Sequence, residues 1–350
     1  MKQHNFGAGP GILPQEVIQE SANAVLNFNN SGLSILEISH RSKGYEAVME
    51  EARSLVRELL NVPPTHEVLF LHGGASTQFA MVPWNLLKQK AGYIESGVWA
   101  QKAIHEAKML GEVEIVSSSS DKNFSYIPTN YQIPSDIDYL HVTSNNTIYG
   151  TQMKSFPATT VPLVCDMSSD IFSRPIDVSQ FGLIYAGAQK NMGPAGATLV
   201  IVQKDLLGKT GRKINSMLDY NVHIKAESMY NTPPAFPVYV CMLTLRWLKK
   251  MGGVAAIEQK NIEKANLFYE ALDRNPLFVG NVVKEDRSLM NACFNLKDPA
   301  MESRFLQTCE EHGIVGIKGH RLSGGFRASL YNALPIESVQ KLIEVMNNFK

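Results

Sequence analysis

From residue 67 onward the chain alternates short apolar runs with helix-length segments, and this alternation constrains the fold more than any other feature. EVLFL (67–71) precedes a helix pattern through FAMVPWNLL, and GYIES (92–96) precedes WAQKAIHEAKML. EVEIV (112–116), DYLHVT (138–143), VPLVCDM (161–167), FGLIYAG (181–187) and ATLVIVQ (197–203) follow. Strands alternating with helices predict an α/β fold whose mostly parallel sheet is covered on both faces. In such sheets ligands collect at the carboxyl ends of the strands. Lys190, Asp166, Thr147 and the GGAST run all follow predicted strands, so they are expected to converge.

Ahead of this region, Pro14 opens a helix pattern with Ile18, Ala22, Val25 and Leu26 on one face. A second helix pattern uses Val48, Ala52, Leu55, Val56 and Leu59. Between them GLSILEISHRSKGYE is too polar to be regular, which places His40 and Arg41 on a loop. Beyond KNIEKANLFYEALDRN the texture changes to the strand MNACFNL, the helix AMESRFLQTCEEHG, the strand FRASLY and a terminal helix PIESVQKLIEVMNNF. That predicts a smaller α+β unit of about 90 residues, a usual size for a second domain. The expected organisation is an N-terminal segment (1–15) packing with the small domain, a large domain (16–258) and the small domain (259–350).

Composition bears mainly on partners. The 33 basic residues balance 33 acidic ones with no long single-sign block, which implies no general attraction to nucleic acid or membrane. Any anion must be held locally. Cys165, Cys241, Cys293 and Cys309 are widely spaced, form no C-x-x-C pair, and read as reduced, buried thiols. MKQHNFGAGPGILP lacks the apolar centre of a signal peptide, and no run approaches the roughly 18 apolar residues of a membrane span. A cytoplasmic protein is expected, and no metal is called for.

Three stretches carry chemistry. HGGASTQF (72–79) follows a strand and begins a helix, where glycines let the backbone approach a ligand and exposed amides suit a phosphate. Taken alone it reads equally well as a tight turn. Asp166 follows a buried-type strand, where an unpaired charge would cost several kcal/mol and would raise its pKa. A helix cap or a salt bridge would satisfy it, as would a protonated heterocyclic nitrogen. Lys190, in YAGAQKNMGPAG, sits among the smallest residues of the chain. It is either an exposed turn lysine or a desolvated one, whose lowered pKa would let it attack a carbonyl and form a Schiff base. Phosphate cradle, buried aspartate and reactive lysine together are the fixtures that hold pyridoxal phosphate.

With these residues in view the chain resembles the phosphoserine aminotransferases, class V, fold-type I pyridoxal-phosphate enzymes. The likeness runs nearly end to end, through FGAGPGILP, EISHRSKGYE, LFLHGGASTQFAMVP, GVWAQKA, NNTIYGT, DMSSDIFSRPID, IYAGAQKNMGPAG, MYNTPPAFPVY and GHRLSGGFRASLYNA. It implies a seven-stranded sheet in the large domain. It also implies Lys190 as the Schiff-base lysine and later the acid/base at the substrate Cα, with Asp166 pairing the pyridine nitrogen. By the same likeness Trp99 would stack on the ring, and Thr147 would bond its phenolic oxygen side. Ala75, Ser76 and Gln189 would hold the phosphate. Asn231 and Thr232 would be supplied by a partner subunit, making a homodimer part of the site. Some members carry arginine where this chain has Ser76, so the phosphate charge here rests more on amides and hydroxyls.

The resemblance leaves substrate recognition to the remaining cations. Arg327 would clamp the α-carboxylate by planar bidentate pairing. His40 with Arg41, and His320 with Arg321, form two His-Arg pairs on distant loops; singly each reads as a solvated charge, together they suit a phosphate or a side-chain carboxylate. The implied reaction is ping-pong transamination of 3-phosphohydroxypyruvate with glutamate to O-phosphoserine and 2-oxoglutarate, in serine biosynthesis. 4-Phosphohydroxythreonine, of pyridoxine biosynthesis, is a second candidate substrate. Two alternatives stay open: another class V enzyme, such as a small-amino-acid:glyoxylate aminotransferase or a desulfurase, and a non-catalytic phosphometabolite-binding protein.

Overall fold

The computed structural model describes residues 3–350. In chain order the strands are β1 (His4–Asn5), β2 (His66–Leu71), β3 (Lys90–Glu95), β4 (Glu112–Ser118), β5 (Leu140–Thr143), β6 (Leu163–Asp166), β7 (Leu183–Gly187), β8 (Thr198–Gln203), β9 (Phe278–Gly280), β10 (Asn291–Leu296), β11 (Ile314–Val315) and β12 (Phe326–Ser329). The helices are α1 (Gln15–Leu26), α2 (Lys43–Leu60), α3 (Gly74–Leu86), α4 (Val98–Ala107), α5 (Tyr220–Lys225), α6 (Ala235–Lys250), α7 (Gly253–Arg274), α8 (Glu302–Glu311) and α9 (Ile336–Asn348).

Seven strands form one sheet in the order β2-β8-β7-β6-β5-β3-β4, and only β8 runs against its neighbours. The central strands are apolar without interruption because both faces are buried. Val68 and Phe70 point into one core with α1, α2 and α6, whereas Leu69 and Leu71 point into the other with α3 and α4. The expected mostly parallel, two-faced sheet is present.

One expectation fails at α1. The helix forms, but Val17, Ser21 and Ala24 face the core, while Ile18 and Leu26 are 45% and 80% exposed. The buried face is turned from the expected one because Ser21 is a core position: its hydroxyl donates to Val17 O at 2.7 Å, which lets a polar residue be buried. Apolar periodicity cannot register such a residue. The second helix buries Val48, Ala52, Leu55, Val56 and Leu59 as expected, and Ser42 caps it by accepting from Tyr45 N–H.

A second core surrounds the antiparallel sheet β12-β10-β9, where Phe278, Phe294, Phe305, Phe326 and Phe349 meet edge to face or tilted. β1 pairs in parallel with β11, and Phe6 enters this same core. Helix α7 serves both units: Ile257 lies in the large core and Ala265, Phe268 and Leu272 in the small one. Residues 258 and 259 therefore fall inside a continuous helix. No helix among the described residues is long and apolar enough to cross a membrane.

Candidate active site

The carboxyl ends of β5, β6 and β7 lie side by side, with Thr143 in register with Asp166 and Asp166 with Tyr185. Asp166 is buried, and its Oδ1 accepts the Ser168 N–H at 2.9 Å. It caps no helix and makes no ion pair among the described residues, so neither bland alternative accounts for it. Burial pushes its carboxyl above the usual range, opposed by the Ser168 hydrogen bond and the charge of Lys190. A buried carboxylate with an oxygen to spare calls for a cationic partner.

Lys190 lies in the turn after β7, and its Nζ donates to Thr147 Oγ1 at 2.7 Å. Loss of hydration draws its ammonium down to about 8, against the pull of Asp166 and with help from the Arg327 charge. The Trp99 ring centroid is 5.7 Å from the amine. On the far side the N-terminal segment closes in: Gly11 N–H donates to Gln189 O at 2.7 Å. A Cβ at Gly11 would lie 2.9 Å from Lys190 O and 2.8 Å from the Tyr331 ring, so only glycine permits this approach.

The glycine turn after β2 reads as more than a tight turn. Gly73 and Gly74 adopt φ of +90° and +65°, and α3 starts directly from them. Its first amides have no intrahelical acceptor. A Cβ at Gly74 would meet nothing within 4 Å, so the turn faces open space there. That space is a cavity of about 390 Å³. Ala75, Ser76 and Gln189 line it on the turn side, with Trp99, Thr147, Asp166 and Lys190 around the middle. His320 and Arg327 border it from the small unit. The Arg327 Nη1 donates to Thr147 O at 3.2 Å, while its Nε is buried without a partner. Donors therefore remain for an anion.

The other site candidates lie outside this cavity. Arg41 and Arg321 are exposed, and His40 is half-buried on its loop. Asn231 borders a separate small hollow beside Gly73, and His72 Nε2 lies 2.8 Å from Thr232 O. Residues that the sequence reading passed over also line the cavity, among them Ala8, Gly9, Thr143, Asn145 and Ser168. Thr143 is the most informative, because its buried Oγ1 has no partner. Its signal was available: like Asp166, it is a polar residue closing a buried-type strand.

A layer of buried polar groups supports Lys190 from the small unit. Tyr331 Oη donates to Ala8 O at 2.6 Å, and Asn332 N–H donates to Asn191 Oδ1 at 3.0 Å. These two residues follow β12 and hold the segments on either side of Lys190. The backbone at Leu330 and Tyr331 is held by Lys264, which is almost fully buried and donates to Leu330 O at 2.9 Å and Tyr331 O at 2.7 Å. Burial, and to a lesser degree Lys260, draws the Lys264 ammonium down to about 7.

The model of the family described as Aminotransferase class-V matches residues 3–342. The chain belongs to this family. Among its class-V relatives, the phosphoserine aminotransferase of Flavobacterium psychrophilum is 61% identical over 100% of this chain and 99% of its own length. The phosphoserine aminotransferase from Bacillus circulans subsp. alkalophilus superposes with a TM-score of 0.97 at 45% identity, covering 99% of this chain and 98% of that one. A pyridoxal-phosphate-bound phosphoserine aminotransferase from Trichomonas vaginalis gives 0.94 at 37% identity, covering 99% and 100%. An alanine–glyoxylate aminotransferase from Nostoc shares the fold at a TM-score of 0.78 and 18% identity, a likeness of fold alone.

Proposed function

We propose that the chain is a phosphoserine aminotransferase. It transfers the amino group of glutamate to 3-phosphohydroxypyruvate in a ping-pong reaction, giving O-phosphoserine and 2-oxoglutarate in serine biosynthesis. The observation that carries this reading is the meeting in one cavity of Lys190, an unpaired buried Asp166 and an open glycine turn, with Arg327 at the edge. Pyridoxal 5'-phosphate fits these groups. When bound it supplies a carbonyl carbon that exchanges amino groups and a ring that accepts electrons.

The chain's own residues do the rest. Asp166, ionised by a cationic partner, holds the proton on the ring nitrogen. Lys190, with an amine largely neutral above about pH 8, removes and returns the proton at the substrate Cα. Thr147 fixes that amine before reaction. Ala75, Ser76 and Gln189 would hold the phosphate, and Trp99 would stack on the ring. Arg327 offers its free donors to the α-carboxylate.

Two observations weigh against the competing readings. All four cysteines are buried, and none borders the cavity, which leaves a desulfurase without its nucleophile. A binder of phosphometabolites has no use for a lysine whose pKa is drawn down beside the ligand space. Borohydride treatment of the holoenzyme should fix cofactor on Lys190, and absence of that adduct would sink the central claim. Steady-state kinetics with O-phosphoserine, 4-phosphohydroxythreonine and serine as donors to 2-oxoglutarate should show a preference for the phosphorylated donors.

The same reading makes the active enzyme a homodimer. Asn231 and Thr232 lie outside their own chain's cavity, and we infer that they reach the phosphate of a partner's site. His40, Arg41 and Arg321 complete the substrate anion site with His320. Subunits carrying Lys190→Ala mixed with subunits carrying Asn231→Ala should regain activity by forming one intact site; no regain would separate these residues from the partner's site. Residues 16–258 and 259–350 are taken as two domains, supported by the two cores that share α7. Four buried free thiols support a cytoplasmic setting.

A further inference from the structure

The phosphate turn itself carries no cation: Gly73, Gly74, Ala75 and Ser76 offer only amides and a hydroxyl. A phosphate monoester brings a charge of about −1.5 to −2. Two cations border the cavity: Lys190, on the Thr147 hydroxyl, and Arg327, which keeps a free Nε but is assigned above to the α-carboxylate. Lys102, outside that lining, has no such task. It makes no ion pair among the described residues, although Glu106 lies one helical turn further on. Its side chain leans back toward the start of α4, and its Nζ stands over the Trp99 ring, 4.8 Å from the centroid.

That direction sets the ammonium beside Trp99, a residue that lines the cavity. A hollow of about 400 Å³ between α3 and α4 is bordered by Lys102, His105 and the carboxylate of Glu106 on one side and by Ser76 and Phe79 on the other. Ser76 and Phe79 also line the main cavity, so the two spaces share a wall. The charge of Lys102 is felt across the mouth as well. The His320 imidazolium is disfavoured first by burial, then by Arg327, Arg321 and Lys102.

We propose that Lys102 is a further phosphate-binding residue of this site, holding a phosphate monoester dianion between the Ser76 turn and His320. The inference rests on the transaminase reading given above. The dianion has two sources, the cofactor and the phosphorylated substrate, and both present the same group to the ammonium. Lys102 is exposed, so its replacement leaves the core untouched.

The test compares wild-type, Lys102→Gln and Lys102→Arg holoenzymes at low ionic strength. If the cofactor phosphate is the ligand, Lys102→Gln loses visible absorbance on dilution about three- to tenfold faster than wild type. If the substrate phosphate is the ligand, its KM for O-phosphoserine rises by about three- to tenfold while that for glutamate is unchanged. In either case Lys102→Arg stays near wild type, and the difference shrinks as salt is raised. Lys102→Gln matching wild type in both measurements overturns the proposal, as does an equal rise for glutamate with unchanged cofactor retention. A wild-type enzyme that ignores O-phosphoserine would instead strike the transaminase reading, and the cofactor measurement would still report on Lys102.

Discussion

The floor and the mouth of the cavity are built differently. Asp166, Thr143 and the Lys190 turn stand at the ends of neighbouring buried strands, held by hydrogen bonds from the sheet, from the N-terminal segment and from the small unit. Arg41, Lys102 and Arg321, which our proposal gathers at the mouth although none lines the cavity of its own chain, are exposed, two of them on loops. The floor sets which bonds can be made and broken, because proton transfer and charge pairing need fixed geometry in a desolvated place. In the proposed reading the mouth sets which anion is welcome, a task that solvated charges can share among themselves.

This contrast ranks the expected effects of substitution. Lys190→Ala should lower the single-turnover rate by roughly 10³- to 10⁴-fold while cofactor still binds, since the proton at Cα loses its carrier. A comparable loss from any mouth residue would break the distinction. The floor also has its own pH signature. The Lys190 pKa is depressed from the ordinary 10.5 to about 8, so its reactive neutral form grows as pH rises through 8. Adduct formation by the apoprotein with pyridoxal phosphate should climb accordingly and level off above that pH; a climb centred near 10.5 would show that the lysine is not desolvated.

Arg327 lies between the two regions and separates them further. Arg327→Ala should weaken every amino-acid substrate by about 2–5 kcal/mol, or roughly 30- to several thousand-fold, as the loss of a desolvated charge partner does. Arg321→Ala should weaken O-phosphoserine by about tenfold and alanine hardly at all, read as kcat/KM for each. Equal losses on both substrates would remove Arg321 from the phosphate site. Smallest is the support layer: Tyr331→Phe deletes the bond to Ala8 O and should cost about 1 kcal/mol in urea unfolding. A larger loss of kcat than of stability there would show that the small unit positions Lys190.

Much of the floor was legible before the fold was seen, because its signals are local. Asp166 is marked by a polar residue ending an apolar strand, the phosphate turn by two glycines before a helix, and Lys190 by the small residues around it. Thr143 carries the same kind of mark as Asp166 and could have been found by the same rule. Ser21 could not, because its place in the core depends on a hydroxyl bonding back along its own helix.

By itself the sequence determined the alternation of strands and helices, the two-faced sheet and the residues at its strand ends, since near neighbours along the chain decide these. Tertiary structure alone decided that Tyr331 and Asn332 brace the two sides of Lys190. It alone showed that Lys264, 66 and 67 residues before its acceptors, is a buried strut. It also placed Lys102 across from Ser76 and left His40, Arg41 and Arg321 outside the cavity of their own chain. The reason is physical: a local pattern records whether a residue can be buried or bent, but which distant group meets it depends on how the packed layers bring remote segments together.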